Sequence, residues 1–178
     1  ILINILKDYI SDEDIVWLLS KVIDSFQAER GKGLPLGNLT SQLFANIYLN
    51  EFDQFIKHKI KAKFYIRYAD DFVILSDDKM WLEKHVPIIK EFLLARLNLE
   101  VHPNKLFIKT MASGIDFLGW INFPKYRVLR MATKKRMFRK LRENNYKEES
   151  LNSYLGLMRH GNARKLKNAI LDHLLEMP

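Results

Sequence analysis

Two adjacent carboxylates, Asp70 and Asp71, stand between apolar runs in the segment FYIRYADDFVIL, Phe64 to Leu75. Aspartate in a turn is ordinary turn chemistry, because its short side chain bonds nearby backbone. Two details point further. A tight two-residue turn favours Asn-Gly or Asp-Gly, since both central residues need positive φ, and this segment has no glycine. Two like charges about 4 Å apart repel by roughly 4 kcal/mol at an effective dielectric near ~20, and a divalent cation turns that repulsion into attraction. Hard Mg²⁺ is held by one or two carboxylates together with substrate phosphates, the arrangement of two-metal phosphoryl transfer. The chemistry expected of the pair is therefore metal-assisted transfer at a phosphate.

Such a pair needs elements to hold it. Phe64 to Tyr68 and Phe72 to Leu75 are aromatic and β-branched runs separated by a turn-sized gap, which predicts a β-hairpin with Asp70 and Asp71 at or beside its tip. Upstream, residues 1 to 10 read as a helix. The capping-box pattern Ser11-Asp12-Glu13-Asp14, with Ile15, Leu18, Leu19, Val22 and Phe26 at helical spacing, predicts a helix over about 12–27. Glu29 to Gly37 holds three glycines and Pro35 and reads as a loop. From Leu39 to Lys61 there is neither Pro nor Gly, and Leu43, Ile47, Phe52, Phe55 and Ile56 recur at helical spacing, which predicts one long helix. A helix over 79–97 should follow the hairpin, then strands at Leu99–His102, Leu106–Lys109, Gly114–Trp120 and Tyr126–Arg130. From about Thr133 the pattern is purely helical, with Gly161-Asn162 as a turn before the last helix. Helices intermixed with antiparallel strands define an α+β fold. The division expected is residues 1–130 and a smaller helical unit over 131–178.

Composition narrows the classes. Of 178 residues 48% are hydrophobic and 28% charged, which excludes a disordered chain. With no cysteine there is no disulfide scaffold, zinc ribbon or thiol nucleophile; a reducing compartment is compatible, and a cytoplasmic location is expected. No apolar run reaches the ~20 residues of a membrane span, and the start does not resemble a signal peptide. His58, His85, His102, His160 and His173 lack metal-ligand spacing and are expected to be structural. The net charge is +8, unevenly placed: residues 1–124 hold 15 basic and 16 acidic side chains, residues 125–178 hold 14 and 5. Lys134, Lys135, Arg136, Arg139, Lys140 and Arg142 cluster around Phe138 and Leu141 so that charges can share one helix face. Arg159, His160, Arg164, Lys165 and Lys167 extend the basic surface. A solvated basic face would look the same; the functional alternative is contact with a nucleic-acid backbone.

Tyr68-Ala69-Asp70-Asp71 between apolar strands resembles the Y-x-D-D box of reverse transcriptases. Upstream, GLPLGNLTSQLFANIYLNEFD (Gly33–Asp53) resembles the block in which a glycine-rich turn leads into a long palm helix. Downstream, LNLEVHPNKLFI (Leu97–Ile108) and GIDFLGW (Gly114–Trp120) resemble the next two blocks. Order and spacing match across about 30–120. The resemblance implies a partial polymerase palm, an antiparallel sheet backed by helices, followed by a helical thumb. Its implied activity is RNA-directed DNA polymerisation, with two Mg²⁺ ions, dNTPs, template RNA and a primer/cDNA duplex. Where most such enzymes carry Q-G-x-x-x-S-P, this chain has Leu36-Gly37-Asn38-Leu39-Thr40-Ser41-Gln42, which is similar to the diversity-generating retroelement branch. That branch copies a template RNA with errors concentrated at adenines, assisted by a small basic accessory protein.

By the same resemblance, Asp70 and Asp71 hold the catalytic metals and Lys105 approaches the triphosphate. Leu36, Gly37, Ser41, Gln42 and Tyr68 lie near nucleotide or template, and Phe117, Leu118, Gly119 and Trp120 form the primer grip. Lys134, Lys135, Arg136, Arg139 and Lys140 contact the nucleic-acid backbone. An alkyl group at Leu36 in place of an amide deletes hydrogen bonds that could discriminate the base. Each has a plainer alternative: Leu36 as a packing residue, Gly37 as helix entry, Ser41 and Gln42 as helix-start caps, Lys105 as a surface lysine. The family pattern also demands a third aspartate on an earlier strand. None of Asp8, Asp12, Asp14 and Asp24 follows a strand-like run, so that carboxylate is expected upstream of Ile1 together with the fingers. The segment alone is expected to bind Mg²⁺ poorly and to extend primers little or not at all. The rivals are a group II intron or retron enzyme, against which Leu36 and Gln42 argue, and a non-catalytic RNA-binding protein on a polymerase scaffold.

Overall fold

A computed structural model of the chain describes the backbone of residues 1–25 and 39–175 and the side chains of 1–25 and 39–170. The chain forms two compact units, Ile1–Ile108 and Lys109–Pro178. The expected α+β mixture is observed, with antiparallel strands and helices in both. No helix among the described residues is long and apolar enough to cross a membrane.

The first unit opens with α1 (Leu2–Tyr9) and α2 (Glu13–Asp24). Asp12, rather than Ser11, caps α2: its carboxylate accepts the N–H groups of Asp14 and Ile15, two of the donors that a helix start leaves without partners. Of the apolar residues of α2 only Val16 is buried, whereas Ile15, Trp17 and Leu18 are exposed. The long central helix α3 (Leu39–Gln54) continues into a π-helical turn over Phe55–Lys59, where the Ile60 N–H bonds the Phe55 carbonyl. A helix of 3.6 residues per turn rotates successive i, i+4 residues progressively round its axis. The wider turn offsets that drift, so Phe52, Ile56 and Ile60 all remain buried. Leu43, expected on the buried face, is exposed; Phe44 points inward instead.

Strands β1 (Phe64–Tyr68) and β2 (Asp71–Leu75) pair antiparallel, with Phe64 opposite Leu75 and Tyr68 opposite Asp71. Cross-strand partners share a face, so Tyr65, Arg67, Phe72 and Ile74 turn towards α3 and α4 (Lys79–Leu97), while Phe64, Ile66, Tyr68, Asp71, Val73 and Leu75 turn away. On the inner side Phe52 meets the Phe72 ring edge-on, 4.9 Å between centroids, and Phe55 stacks on Phe92. Helix α4 tolerates Pro87 because Ile89, Leu93 and Leu97, four residues apart, anchor it in the core. It ends at Asn98 in the left-handed conformation, with the Leu99 N–H reaching back to the Leu93 carbonyl.

Two expected strands are absent. Leu99–His102 and Leu106–Lys109 run as irregular chain around a 3₁₀ turn at Pro103–Lys105, where His102 Nδ1 accepts the Asn104 N–H. Apolar alternation becomes a strand only beside a hydrogen-bonding neighbour, and the hairpin's sheet has two strands among the described residues.

In the second unit, the expected strand over Gly114–Trp120 is a second hairpin. β3 (Ile115–Phe117) turns through Leu118-Gly119 into β4 (Trp120–Asn122), which pairs with β5 (Arg127–Leu129). Both turn residues have positive φ, 53° and 81°, as a type I′ turn requires. Helices α5 (Met131–Glu143), α6 (Glu148–Met158) and α7 (Arg164–Leu175) complete the unit. Trp120 and Leu129 share one core with Met137, Leu141, Met158 and Ile170. The compact units therefore divide before this meander, upstream of the 130/131 division drawn from charge and periodicity.

The turn before α7 closes on that core. The Asn162 N–H donates to the Arg127 carbonyl at 2.8 Å, and a Cβ on Gly161 would lie 2.1 Å from the Trp120 ring. Gly161→Ala is therefore expected to destabilise the protein by about 1–3 kcal/mol through forced displacement of the indole. Gly156, inside α6 with open space around its Cα, is the control: Ala there should stabilise by about 0.5–1 kcal/mol. Urea unfolding of the two variants, read by tryptophan fluorescence, checks the opposite signs.

Candidate functional site

The Asp pair sits where the sequence predicts, and the turn that carries it is strained. Tyr68 pairs with Asp71, leaving Ala69 and Asp70 as a two-residue connection, and Ala69 has φ +52°. A left-handed alanine pays for the steric conflict of its Cβ, and such strain persists only where surrounding structure holds it.

What holds it is Arg67, whose role the sequence reading missed. Arg67 Nε and Nη2 grip the Asp53 carboxylate of α3 at 2.8 and 2.6 Å. Arg67 Nη1 donates to Asn46 Oδ1 at 3.2 Å and to the Ala69 carbonyl at 2.8 Å. One guanidinium thus ties two points on α3 to the turn bearing Asp70. Tyr65 completes the set, its hydroxyl donating to Asp53 Oδ1 at 2.6 Å. The only signals in the sequence were alternation, which turns residue 67 inward, and an acid at the C-terminal end of the preceding helix with no assigned partner.

The charges of this network follow from its geometry. Burial raises the pKa of Asp53, but the hydrogen bonds from Arg67 and Tyr65 and the charge of Arg67 outweigh it and hold the carboxyl below its usual range. Arg67 is held above its ordinary value, first by its hydrogen bond to Asp53. Burial, then the bond to Asp53, pushes Tyr65 upward, so it remains a hydroxyl donor. Because the folded pKa of Asp53 is depressed, its stabilisation is fully present above the ordinary aspartate value of about 3.9 and is lost as the pH falls through the lower folded value. In urea unfolding between about pH 5 and 2, the parent should lose more stability on acidification than Asp53→Asn. Parallel acid limbs would assign the loss to other carboxylates.

Asp70 and Asp71 are both exposed, and neither carboxylate has a hydrogen bond or ion pair among the described residues. A solvated turn would share that exposure. The donor chemistry fits Mg²⁺: two adjacent hard oxygen ligands, uncommitted to any other partner, on a turn fixed from behind. No group of three or more acidic or histidine side chains suited to a metal is present among the described residues. Tyr68 is 65% exposed beside Asp71.

The other expected site residues divide. Leu36 and Gly37 lie outside the described residues. Ser41 is buried in the first turn of α3 and its Oγ has no hydrogen-bond partner among the described residues, so it does not act as a cap; Gln42 is exposed. Lys105 is exposed in its 3₁₀ turn and makes no ion pair with Asp70 or Asp71. Of the expected primer grip, Phe117 is half-buried in β3 and Leu118 is exposed at the turn. Trp120 is only 6% exposed, under Gly161 and the Arg127 guanidinium, and serves the core. On α5, Thr133, Met137 and Leu141 form the buried row. Lys135, Arg136, Arg139, Lys140 and Arg142 are exposed opposite it, Lys134 is half-buried, and among the described residues only Arg139 has an acidic partner, Glu143 at 3.7 Å. His85 bonds the Trp81 carbonyl and His102 caps a turn, as structural histidines do.

A hairpin tied to α3 and presenting two exposed carboxylates is the arrangement that the sequence resemblance leads one to expect. The chain matches the family described as reverse transcriptase (RNA-dependent DNA polymerase) over residues 4–122, and it belongs to that family. It is also similar to Protein YkfC of Escherichia coli (strain K12), 27% identical over 157 residues, an alignment covering 67% of this chain and 41% of that protein. The chain thus spans less than half the length of this curated relative.

Proposed function

We propose that the protein acts as an RNA-directed DNA polymerase of the diversity-generating retroelement type, with a palm built in part from residues 1–130 and a thumb from 131–178. A primer 3′-hydroxyl attacks the α-phosphate of a dNTP opposite template RNA; the new P–O bond forms as the α–β bridge breaks and pyrophosphate leaves. Asp70 and Asp71 would hold Mg²⁺, which would supply charge neutralisation at the phosphates. Arg67 fixes the turn from which they act. The exposed row on α5 contacts phosphodiesters without regard to sequence, as translocation demands. Lys105 serves the triphosphate, Gln42 and Tyr68 the nucleotide or template, and Leu118 the primer.

The observation that carries this reading is the tethered Asp70-Asp71 turn in a chain of the reverse transcriptase family. The retroelement subtype rests on Leu36 and Gln42 in the sequence, as does a small basic accessory partner. A second reading, an RNA-binding protein that keeps the scaffold without the chemistry, draws on the missing third ligand among the described residues. Primer extension by the full-length protein on an RNA template with Mg²⁺, with and without asparagine at 70 and 71, separates them: synthesis that depends on the pair supports the enzyme, and no synthesis from the parent supports the binder.

A further inference from the structure

A second basic surface lies at the other end of the catalytic hairpin. Lys57, Lys59, Lys61 and Lys63, with His58 among them, occupy seven consecutive positions where the π-helical turn of α3 runs into β1. All five side chains are exposed, while Ile56, Ile60 and Ala62 between them are buried. The wide turn and the left-handed Lys61, φ +57°, sort the segment into an apolar inside and a cationic outside.

Ordinary causes do not account for the cluster. A helix C-terminus favours cations, but only within its last turn; Lys61 and Lys63 lie beyond it. None of the four lysines has an acidic partner among the described residues, and the nearby Asp53 carboxylate is committed to Arg67 and Tyr65. Outside the segment, residues 1–124 carry 11 basic and 16 acidic side chains, so this is a local reversal of sign. Mutual repulsion among four ammonium groups becomes attraction only against a polyanion. The rings beside them narrow the choice: Lys63 Nζ lies 5.2 Å from the Phe64 ring and Lys57 Nζ 5.9 Å from that of Tyr65. Phe64 is 52% exposed on the outer hairpin face. A run of exposed lysines with one of them, Lys63, beside the open Phe64 ring supplies the elements that bind a single strand, charge for the backbone and a π-face for an unpaired base.

We infer that the Lys57–Phe64 segment is a binding surface for single-stranded RNA, set apart from the Asp pair by the length of β1, roughly 16 Å at strand rise. It holds template that is not paired in the active site. The choice of RNA rests on the polymerase reading above; the charge and ring geometry do not.

The test is the affinity of the full-length protein for a labelled single-stranded RNA of about 15 nucleotides, measured across salt concentrations. Replacing all four lysines by Gln should weaken binding at least tenfold near ~150 mM salt and flatten the log–log salt dependence by about 2 to 3, at roughly 0.7 per lost contact. Phe64→Ala should weaken binding with little change of slope. Unaltered affinity and slope in the lysine variant overturn the inference. So does a loss confined to anionic phospholipid vesicles. If the fourfold variant does not fold by circular dichroism, the Lys57/Lys59 and Lys61/Lys63 pairs replace it, each expected to give half the slope change; no change in either overturns the inference equally. Asn at 70 and 71, assayed for primer extension beside RNA affinity, separates the two proposals: synthesis that survives that change removes the polymerase reading while leaving any lysine-dependent RNA binding intact.

Discussion

Asn in place of both Asp70 and Asp71 in the full-length protein is expected to lower primer extension by at least about 10³-fold, some 4 kcal/mol of transition-state stabilisation. The amide keeps shape and polarity but removes the charge that binds Mg²⁺. The same variant should keep its RNA affinity, since backbone contact is assigned to lysines and arginines elsewhere. It should also keep its stability within about 0.5 kcal/mol, because both carboxylates are exposed and make no hydrogen bond or ion pair among the described residues. Relief of their mutual repulsion acts in the stabilising direction. Synthesis at the parent rate would exclude the polymerase; joint loss of synthesis, RNA binding and cooperative unfolding would show that the pair had been structural.

How the protein presents that pair was only partly legible beforehand. The hairpin could be read because its signal is local: two aromatic and β-branched runs with a turn-sized gap fix the register by themselves. The absence of glycine argues against a tight turn. The turn is tight nevertheless, with Ala69 in the conformation that glycine would take cheaply. Local preference failed there because a long-range tether, Arg67 to Asp53 and Asn46, overrides it, and such tethers leave no periodicity in a sequence.

The other differences have the same origin. Leu99–His102 and Leu106–Lys109 alternate like strands but lack a neighbouring strand among the described residues. Leu118-Gly119 broke an apparent strand because an apolar residue took the left-handed position usually filled by asparagine. The buried and charged rows of α5 were legible from spacing alone, since one helix face needs no knowledge of its surroundings. Trp120 was not: Gly161, forty-one residues later in the chain, decides whether the indole faces core or ligand.

The Arg67 tether carries the second large prediction. Arg67→Met retains the aliphatic stem but removes every donor, leaving Asp53 with Tyr65 alone and the Ala69 carbonyl without its bond. With the Arg67 side chain 10% exposed and Asp53 27%, a loss of about 2–4 kcal/mol is expected. Asp53→Asn should cost less, and the double variant little more than Arg67→Met, since the two share one interaction. Lys at 67 should restore only part of the stability, because a single ammonium cannot span carboxylate, amide and carbonyl at once. Beyond stability, a turn free to relax from its left-handed alanine displaces Asp70, and a misplacement near ~1 Å costs about 10²-fold in rate. The full-length Arg67→Met variant, assayed well below its melting temperature, should therefore show kcat reduced to that extent with RNA affinity unchanged. A variant that melts earlier but turns over at the parent rate would make Arg67 a strut for the hairpin and leave the position of Asp70 to Ala69 and its neighbours.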